Sequence, residues 1–189
     1  MNGLPTVPVH DLYIHPRDND LIAGTHGRGA WIVDNISSLQ QLTSGNMDKD
    51  VYLMDIRPEV QWVTSFDFPW GTDKEFKKAN PKSGSNISYF LKSELTDSVD
   101  IEILDITGDV LRNIKGPKQA GLNNVFWDFR KNPIPRPPST NPNQQSRFSR
   151  RRTGALVKPG EFLVRITADS KILQKKAIVD KDDVGYIGR

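Results

Sequence analysis

The chain has 189 residues, of which 36% are hydrophobic, and 26 Lys and Arg against 23 Asp and Glu give a net charge of +3. This length suits one domain of ordinary size, or a small domain beside an incomplete one, and the near balance of charge gives no reason to expect nucleic acid as a partner. The absence of cysteine excludes disulfides, thiolate zinc sites and a cysteine nucleophile. No apolar run approaches the roughly 20 residues of a membrane-spanning helix, and the first residues lack the basic and apolar segments of a signal peptide.

Residues 1–57 are predicted to form short strands joined by tight turns, because brief apolar stretches alternate with clusters of Pro, Asp, Asn and Gly. A turn at residues 16–20 follows the first strand, Gly27-Arg28-Gly29 forms a second turn, and Ser37 or Ser38 caps a short helical turn that runs through Leu42. The predicted strands are Val9–His15, Leu21–Thr25, Ala30–Asp34 and Val51–Met54.

Residues 58–85 show little periodicity and are predicted to be an irregular linker. Its aromatic residues, Phe66, Phe68, Trp70 and Phe76, are interspersed with Pro, Gly, Asp and Lys. We expect them to pack against one of the two neighbouring segments.

Residues 86–180 alternate apolar and polar side chains in about six strands, which is typical of a two-sheet β-sandwich. Thr107-Gly108 is predicted to form a hairpin turn, and residues 181–189 form a tail. A shared core is expected from the residues of one strand face, Ile101, Ile103, Trp127, Phe129, Phe162, Val164 and Ile166.

A long loop rich in Pro and Arg is predicted at residues 131–158, since this segment has almost no apolar content. Its part from Arg136 to Arg152 is expected to be mobile and sensitive to proteases, because too little apolar surface is available to offset the entropy of ordering. The basic run at residues 147–152 includes Arg150, Arg151 and Arg152, which are candidate contacts for an anionic ligand.

Two groups of motifs resemble one known family. The segment LIAGTHGRGAWIVD at residues 21–34, preceded by HDLYIHP at 10–16, is similar to the end of a β-propeller of the sortilin-like and bacterial-neuraminidase-repeat group. The downstream segments ISYFL (87–91), VDIEILD (99–105), GLNNVFWDFR (121–130) and KPGEF (158–162) resemble the sandwich in which such proteins often end. The Ser/Thr-x-Asp-x-Gly-x-x-Trp box of the repeat itself does not occur in the chain.

The resemblance implies an all-β chain: one or more partial β-propeller blades at residues 1–57, followed by an immunoglobulin- or fibronectin-III-like antiparallel β-sandwich. It further implies other propeller blades of the same protein as partners, and an extracellular, periplasmic or cell-surface location. Polysaccharide or a cell-surface protein is a further candidate partner. Members of this group are often described as glycosyl hydrolases, a label that refers to whole propellers.

The candidate site residues in the N-terminal segment are His26 and Arg28. His10 and His15 lie on opposite faces of one predicted strand and so cannot easily share a metal ion, while His26 is predicted to hydrogen-bond within the turn. We therefore expect no metal site and no cofactor. Arg28 is expected either to contact a substrate at a propeller mouth or to form a structural salt bridge.

Three functions are compatible with these features. The first is a non-catalytic accessory or interaction module, because no nucleophile and acid/base set can be assembled from the sequence. The second is a fragment of a glycoside hydrolase, with a sialidase-like or glucanase-like propeller whose catalytic blades are expected upstream of this sequence. The third is a carbohydrate-binding module, with Trp127 as part of an aromatic platform; Trp127 and Phe129 on one strand face fit a core better.

Overall fold

The computed structural model of the chain describes residues 6–62, 83–133 and 153–182. Within these ranges the protein is mostly β, with several antiparallel sheets, one of which curls into a half-barrel. The strands are β1 (Val9–Ile14), β2 (Leu21–Thr25), β3 (Ala30–Val33), β4 (Val51–Leu53), β5 (Glu59–Gln61), β6 (Ser85–Leu91), β7 (Val99–Leu104), β8 (Val110–Gly116), β9 (Gly121–Trp127), β10 (Gly160–Ala168) and β11 (Lys171–Lys181). Two short helices, α1 (Ser37–Gln40) and α2 (Ser44–Met47), lie between β3 and β4.

The chain divides into two compact units, Met1–Lys49 and Asp50–Arg189. The first unit is a three-stranded antiparallel sheet in the order β1-β2-β3, and a bulge interrupts the β1–β2 register between Val9 and Asp11. The strands expected at residues 9–15, 21–25 and 30–34 are thereby confirmed, with ends shifted by one residue at most.

The predicted helical turn is also present, as α1, but the expected cap by Ser37 or Ser38 is wrong, because Ile36 occupies the N-cap position of the helix and makes no side-chain capping hydrogen bond. Its end is tied to the β1–β2 turn by Asn19, whose side-chain amide donates to Ser37 Oγ and Gln40 Oε1 at 2.8 Å each. Asn19 and Asn35 both have a positive φ, 58° and 45°, which asparagine tolerates better than most residues. Polar contacts thus connect the β1–β2 turn to α1 at this end of the unit. Among the described residues of the first unit, the buried apolar side chains are Ala23 and Ile36.

The second unit contains two sheets that share one hydrophobic core. One sheet has the strand order β4-β6-β9, and the other has the order β5-β11-β10-β7-β8. Neighbouring strands are antiparallel, except that β5 and β11 are parallel. The alternation of apolar and polar residues places one face of each strand inward. Trp127 is fully buried at the centre of this core, and its ring packs edge-to-face on Phe129 and Phe162 at 5.3 Å each.

The expected core is confirmed: every residue predicted to face it is buried. The core also includes apolar residues of β4, β6 and β11, and the larger set is Val51, Leu53, Ile56, Ile87, Tyr89, Leu91, Val99, Ile101, Ile103, Val125, Trp127, Phe129, Val157, Phe162, Val164, Ile166, Ala168, Ala177 and Val179.

Three expectations from the sequence differ from the structure. The strand at Val51–Leu53, expected in the N-terminal segment, pairs with β6, so the segment up to residue 57 does not form a unit with the first three strands. The segment expected to be an irregular linker contains β5, which pairs with β11, while residues 63–82 with their aromatic side chains lie outside the described residues. The alternation of Val125, Trp127 and Phe129 predicts a strand over residues 125–130, but β9 begins at Gly121 and ends at Trp127, because Phe129 has a φ of 55° and turns the chain.

The hairpin turn predicted at Thr107-Gly108 is confirmed between β7 and β8. Gly108 has a φ of 92°, a conformation that favours glycine. The carboxylate of Asp105 accepts hydrogen bonds from Thr107 Oγ1 at 2.6 Å and from the backbone N–H groups of Thr107 and Asp109 at 2.9 Å each. These bonds, above all the one from the Thr107 hydroxyl, lower the pKa of Asp105.

Edge strand β8 is partly covered by the segment that follows Arg130. The backbone N–H of Asn132 donates to Leu111 O at 2.8 Å, and Asn132 Oδ1 accepts from Asn113 N at 2.9 Å. Covering an edge in this way satisfies backbone groups that another chain would otherwise pair with.

We predict that Trp127→Ala lowers the free energy of unfolding by about 3–5 kcal/mol, because it removes a fully buried large aromatic side chain from the shared core. Chemical denaturation of the full chain measures this. The matched control is Trp62→Ala, since Trp62 is 56% exposed and its loss should cost under about 0.5 kcal/mol. Equal effects of the two substitutions would show that Trp127 is not a core residue.

Tyr89 gives a second prediction, on alkaline stability. Its buried hydroxyl donates to Pro117 O, and burial raises its pKa from 10.0 to about 12. Because the folded pKa lies above the unfolded one, the stabilisation that Tyr89 contributes is complete below pH 10.0 and is lost as the pH rises towards about 12. Tyr89→Phe should flatten this part of the pH dependence of unfolding, whereas Tyr13→Phe, at an exposed tyrosine, should not. An unchanged slope in Tyr89→Phe would refute the assignment.

Candidate functional site

The turn between β2 and β3 presents the candidate residues His26 and Arg28 to solvent. Thr25 closes this turn, since its backbone N–H and its Oγ1 both donate to Gly29 O, at 3.1 and 2.6 Å. Gly27 and Gly29 have φ values of 73° and 72°, as the predicted glycine turn requires. Arg28 is exposed at the tip between the two glycines.

The structure brings His26 together with His10. His10 Nε2 lies 3.1 Å from His26 Nδ1, and the ring centroids are 5.2 Å apart with the planes tilted by 56°. His15 lies elsewhere on the unit, where its Nδ1 accepts from the backbone N–H of Asp18 at 3.2 Å and lies 3.2 Å from Asp18 Oδ2. The His26 side chain thus contacts a residue of β1, whereas the sequence predicts a hydrogen bond within the turn, because the bulge in β1 has no sequence signature.

The first unit also exposes large apolar side chains on both faces of its sheet. In the cross-strand register, Tyr13, Ile22 and Ile32 share one face, while Leu12 lies with Ala23 and Trp31 on the other. Leu12 is 61% exposed, Tyr13 54% and Ile32 59%, and all six residues of β1 are exposed. Such a surface is unusual for a sheet that has no partner.

The ends of the predicted Pro- and Arg-rich loop are joined at a neck. Lys131 N donates to Ala155 O at 2.9 Å, Val157 N donates to Phe129 O at 2.8 Å, and Arg130 forms an isolated antiparallel bridge with Leu156. The guanidinium of Arg130 donates to Gly154 O at 3.1 Å. Asp128, next to Arg130 on this side of the neck, buries an Oδ1 that makes no hydrogen bond to the described residues.

The remaining candidate residues lie in the sequence between the two sides of this neck. Arg150, Arg151 and Arg152 lie outside the described residues, as does the rest of the segment from residue 134 to 152. Their expected contact with an anionic ligand, and the expected mobility and protease sensitivity of Arg136–Arg152, therefore stay predictions.

A shallow groove of about 400 Å³ lies on the outer face of the five-stranded sheet. Polar side chains from three neighbouring strands line it, namely Asp100, Glu102, Asn113, Lys115 and Thr167. Both carboxylates are paired, Asp100 with Lys115 and Glu102 with Arg165, whose Nε lies 2.7 Å from Glu102 Oε2. In the sequence these residues form the ordinary polar face of alternating strands and carry no signal of a groove.

Within the described ranges, no group of three or more His, Cys, Asp or Glu side chains is placed to hold a metal ion. No helix in the same ranges has the length and apolar character needed to cross a membrane. No protein-family model matches the chain, and neither do any curated protein or solved structure.

We predict that Gly154→Ala strongly destabilises the second unit, because a Cβ at this position would lie 1.9 Å from Lys131 O. Backbone on both sides of the neck would have to move, at an expected cost of roughly 2–4 kcal/mol. Gly45→Ala is the control, since a Cβ there has no atom within 4 Å. Denaturant unfolding that gives the same midpoint for Gly154→Ala and the wild type would contradict the geometry of the neck.

Proposed function

We propose that the chain is a non-catalytic accessory or interaction module, in which the N-terminal sheet packs against other β-sheets of the same protein and the second unit supports them. The observation that carries this proposal is the exposure of large apolar side chains on both faces of the β1-β2-β3 sheet. A sheet that exposes the side chains of Leu12 and Ile32 to water gains stability when a neighbouring sheet covers them.

We further propose that these neighbouring sheets are blades of a β-propeller and that the second unit is an immunoglobulin-like sandwich. Two features support this: the sequence resemblance at residues 10–34, and the shared core of the two sheets of the second unit. An extracellular, periplasmic or cell-surface location, and polysaccharide or a cell-surface protein as a further partner, follow from the same resemblance.

The two other functions have less support. For a glycoside hydrolase, the carboxylates nearest to a groove, Asp100 and Glu102, are both engaged in ion pairs across the sheet. For a carbohydrate-binding module, Trp127 and Phe129 are fully buried and offer no platform to a sugar. We therefore expect purified chain to show no turnover of sialosides or β-glucans.

The proposal predicts that the apolar surface of the full chain binds the dye ANS through its N-terminal sheet. The double variant Leu12→Asp/Ile32→Asp should lower ANS fluorescence by roughly half, because it places a charge on each face of that sheet. Ile172→Asp is the matched control: Ile172 is 62% exposed in the second unit, and its replacement should leave the signal almost unchanged. In size-exclusion chromatography with light scattering, the double variant should self-associate less than the wild type. Ile172→Asp should self-associate about as much as the wild type does. If Ile172→Asp lowers both signals as much as the double variant does, the N-terminal sheet is not the docking surface.

A further inference from the structure

We propose that His10 and His26 form a two-ligand site for a divalent transition-metal ion, with Cu²⁺ and Zn²⁺ as the best-suited ions. This site is separate from the docking function proposed above and does not depend on it. It rests on the juxtaposition of two imidazole nitrogens of the first unit that lie 3.1 Å apart, His10 Nε2 from β1 and His26 Nδ1 from the turn that follows β2.

The distance between the two nitrogens matches the distance between two neighbouring ligand atoms around one metal ion. With metal–nitrogen bonds of about 2.0–2.1 Å, two ligands are about 2.9 Å apart at a right angle and about 3.3 Å apart at the tetrahedral angle. The observed 3.1 Å lies between these values. A small rotation of each ring about its χ2 angle would turn both lone pairs towards one ion, and this torsion has a broad energy minimum.

Both rings carry the right chemistry for such a site when they are neutral. In the hydrogen-bonded pair, one of the two facing nitrogens bears the proton and the other accepts it. Binding of a cation requires that His10 carry its proton on Nδ1 and His26 on Nε2. The shared proton therefore moves to the far nitrogen of its own ring, and no net charge has to be removed from the pair.

Backbone structure holds the two histidines in place. His10 lies at the bulge of β1, and His26 directly follows β2, where its backbone N–H donates to Pro8 O at 3.0 Å. The next residues form the turn closed by Thr25 and Gly29. The two rings thus start close together, and less conformational entropy is lost on binding than for two free histidines.

The exposed position of the rings decides what completes the site. No third His, Cys, Asp or Glu joins them among the residues that the structure describes, so water would fill the other positions. Imidazole nitrogen suits copper and zinc, and affinity for the same ligands rises to Cu²⁺ along the first-row series. Mg²⁺ prefers oxygen ligands and serves as a negative control.

The test is a titration of the full chain with CuCl2, ZnCl2 or MgCl2 by isothermal calorimetry. We expect one equivalent of Cu²⁺, and more weakly of Zn²⁺, with no heat from Mg²⁺. His10→Ala and His26→Ala should each weaken binding by at least about 10–100-fold, the loss seen when even an outer-shell partner of a metal ligand is removed. His15→Ala is the matched control and should bind like the wild type, since His15 contacts Asp18 instead.

A second readout avoids substitutions. In proton NMR spectra of the wild type, substoichiometric Cu²⁺ should broaden the imidazole C–H signals of two histidines and spare those of His15. The proposal is overturned if the wild type does not bind, if all three histidine signals broaden together, or if His10→Ala and His26→Ala keep the wild-type affinity. Circular dichroism of each variant verifies that the fold is retained.

Discussion

A β-sheet is stable in water when at least one of its faces is covered by apolar groups, and the two units of this protein satisfy that constraint to different extents. In the second unit, the inward faces of the β4-β6-β9 and β5-β11-β10-β7-β8 sheets cover each other around Trp127. In the first unit, three strands expose Leu12 on one face and Ile32 on the other, and hydrogen bonds from Asn19 connect the β1–β2 turn to α1. The candidate docking surface lies on this sheet, and the histidine pair lies where β1 and the turn after β2 meet.

The strands of the second unit could be predicted from the sequence because most of them are half-buried, so that apolar and polar residues alternate with a period of two. β5 was missed, since three residues cannot show a period, and its partner β11 is more than a hundred residues away. β4 is expected beside the N-terminal strands but pairs with β6. Val51–Leu53 are too few residues to carry a signal that selects β6 over β3 as the partner strand. The end of β9 was misjudged because an αL conformation at Phe129 is fixed by tertiary packing and has no sequence signature.

The candidate sites were predictable to a smaller extent. The glycine turn that presents His26 and Arg28 could be recognised from its composition, whereas the contact of His26 with His10 depends on a bulge and on strand register. Gly154 gives no hint in the sequence that it packs against backbone, since any surface loop can contain glycine. The polar groove around Asp100 and Glu102 could not be predicted from the sequence. Solvent-facing residues of a strand show the same polar pattern whether the sheet is flat or curved.

Amide hydrogen exchange on the full chain, followed by mass spectrometry, tests the central claim most directly, namely that the second unit has a core of its own while the N-terminal sheet does not. Protection reports the free energy needed to open each segment. The account predicts strong protection in β6, β7 and β10, at the level of global unfolding, and fast exchange through local opening in β1, β2 and β3. Equal protection in the two units would contradict the account, because the N-terminal sheet would then be a stable structure that needs no partner.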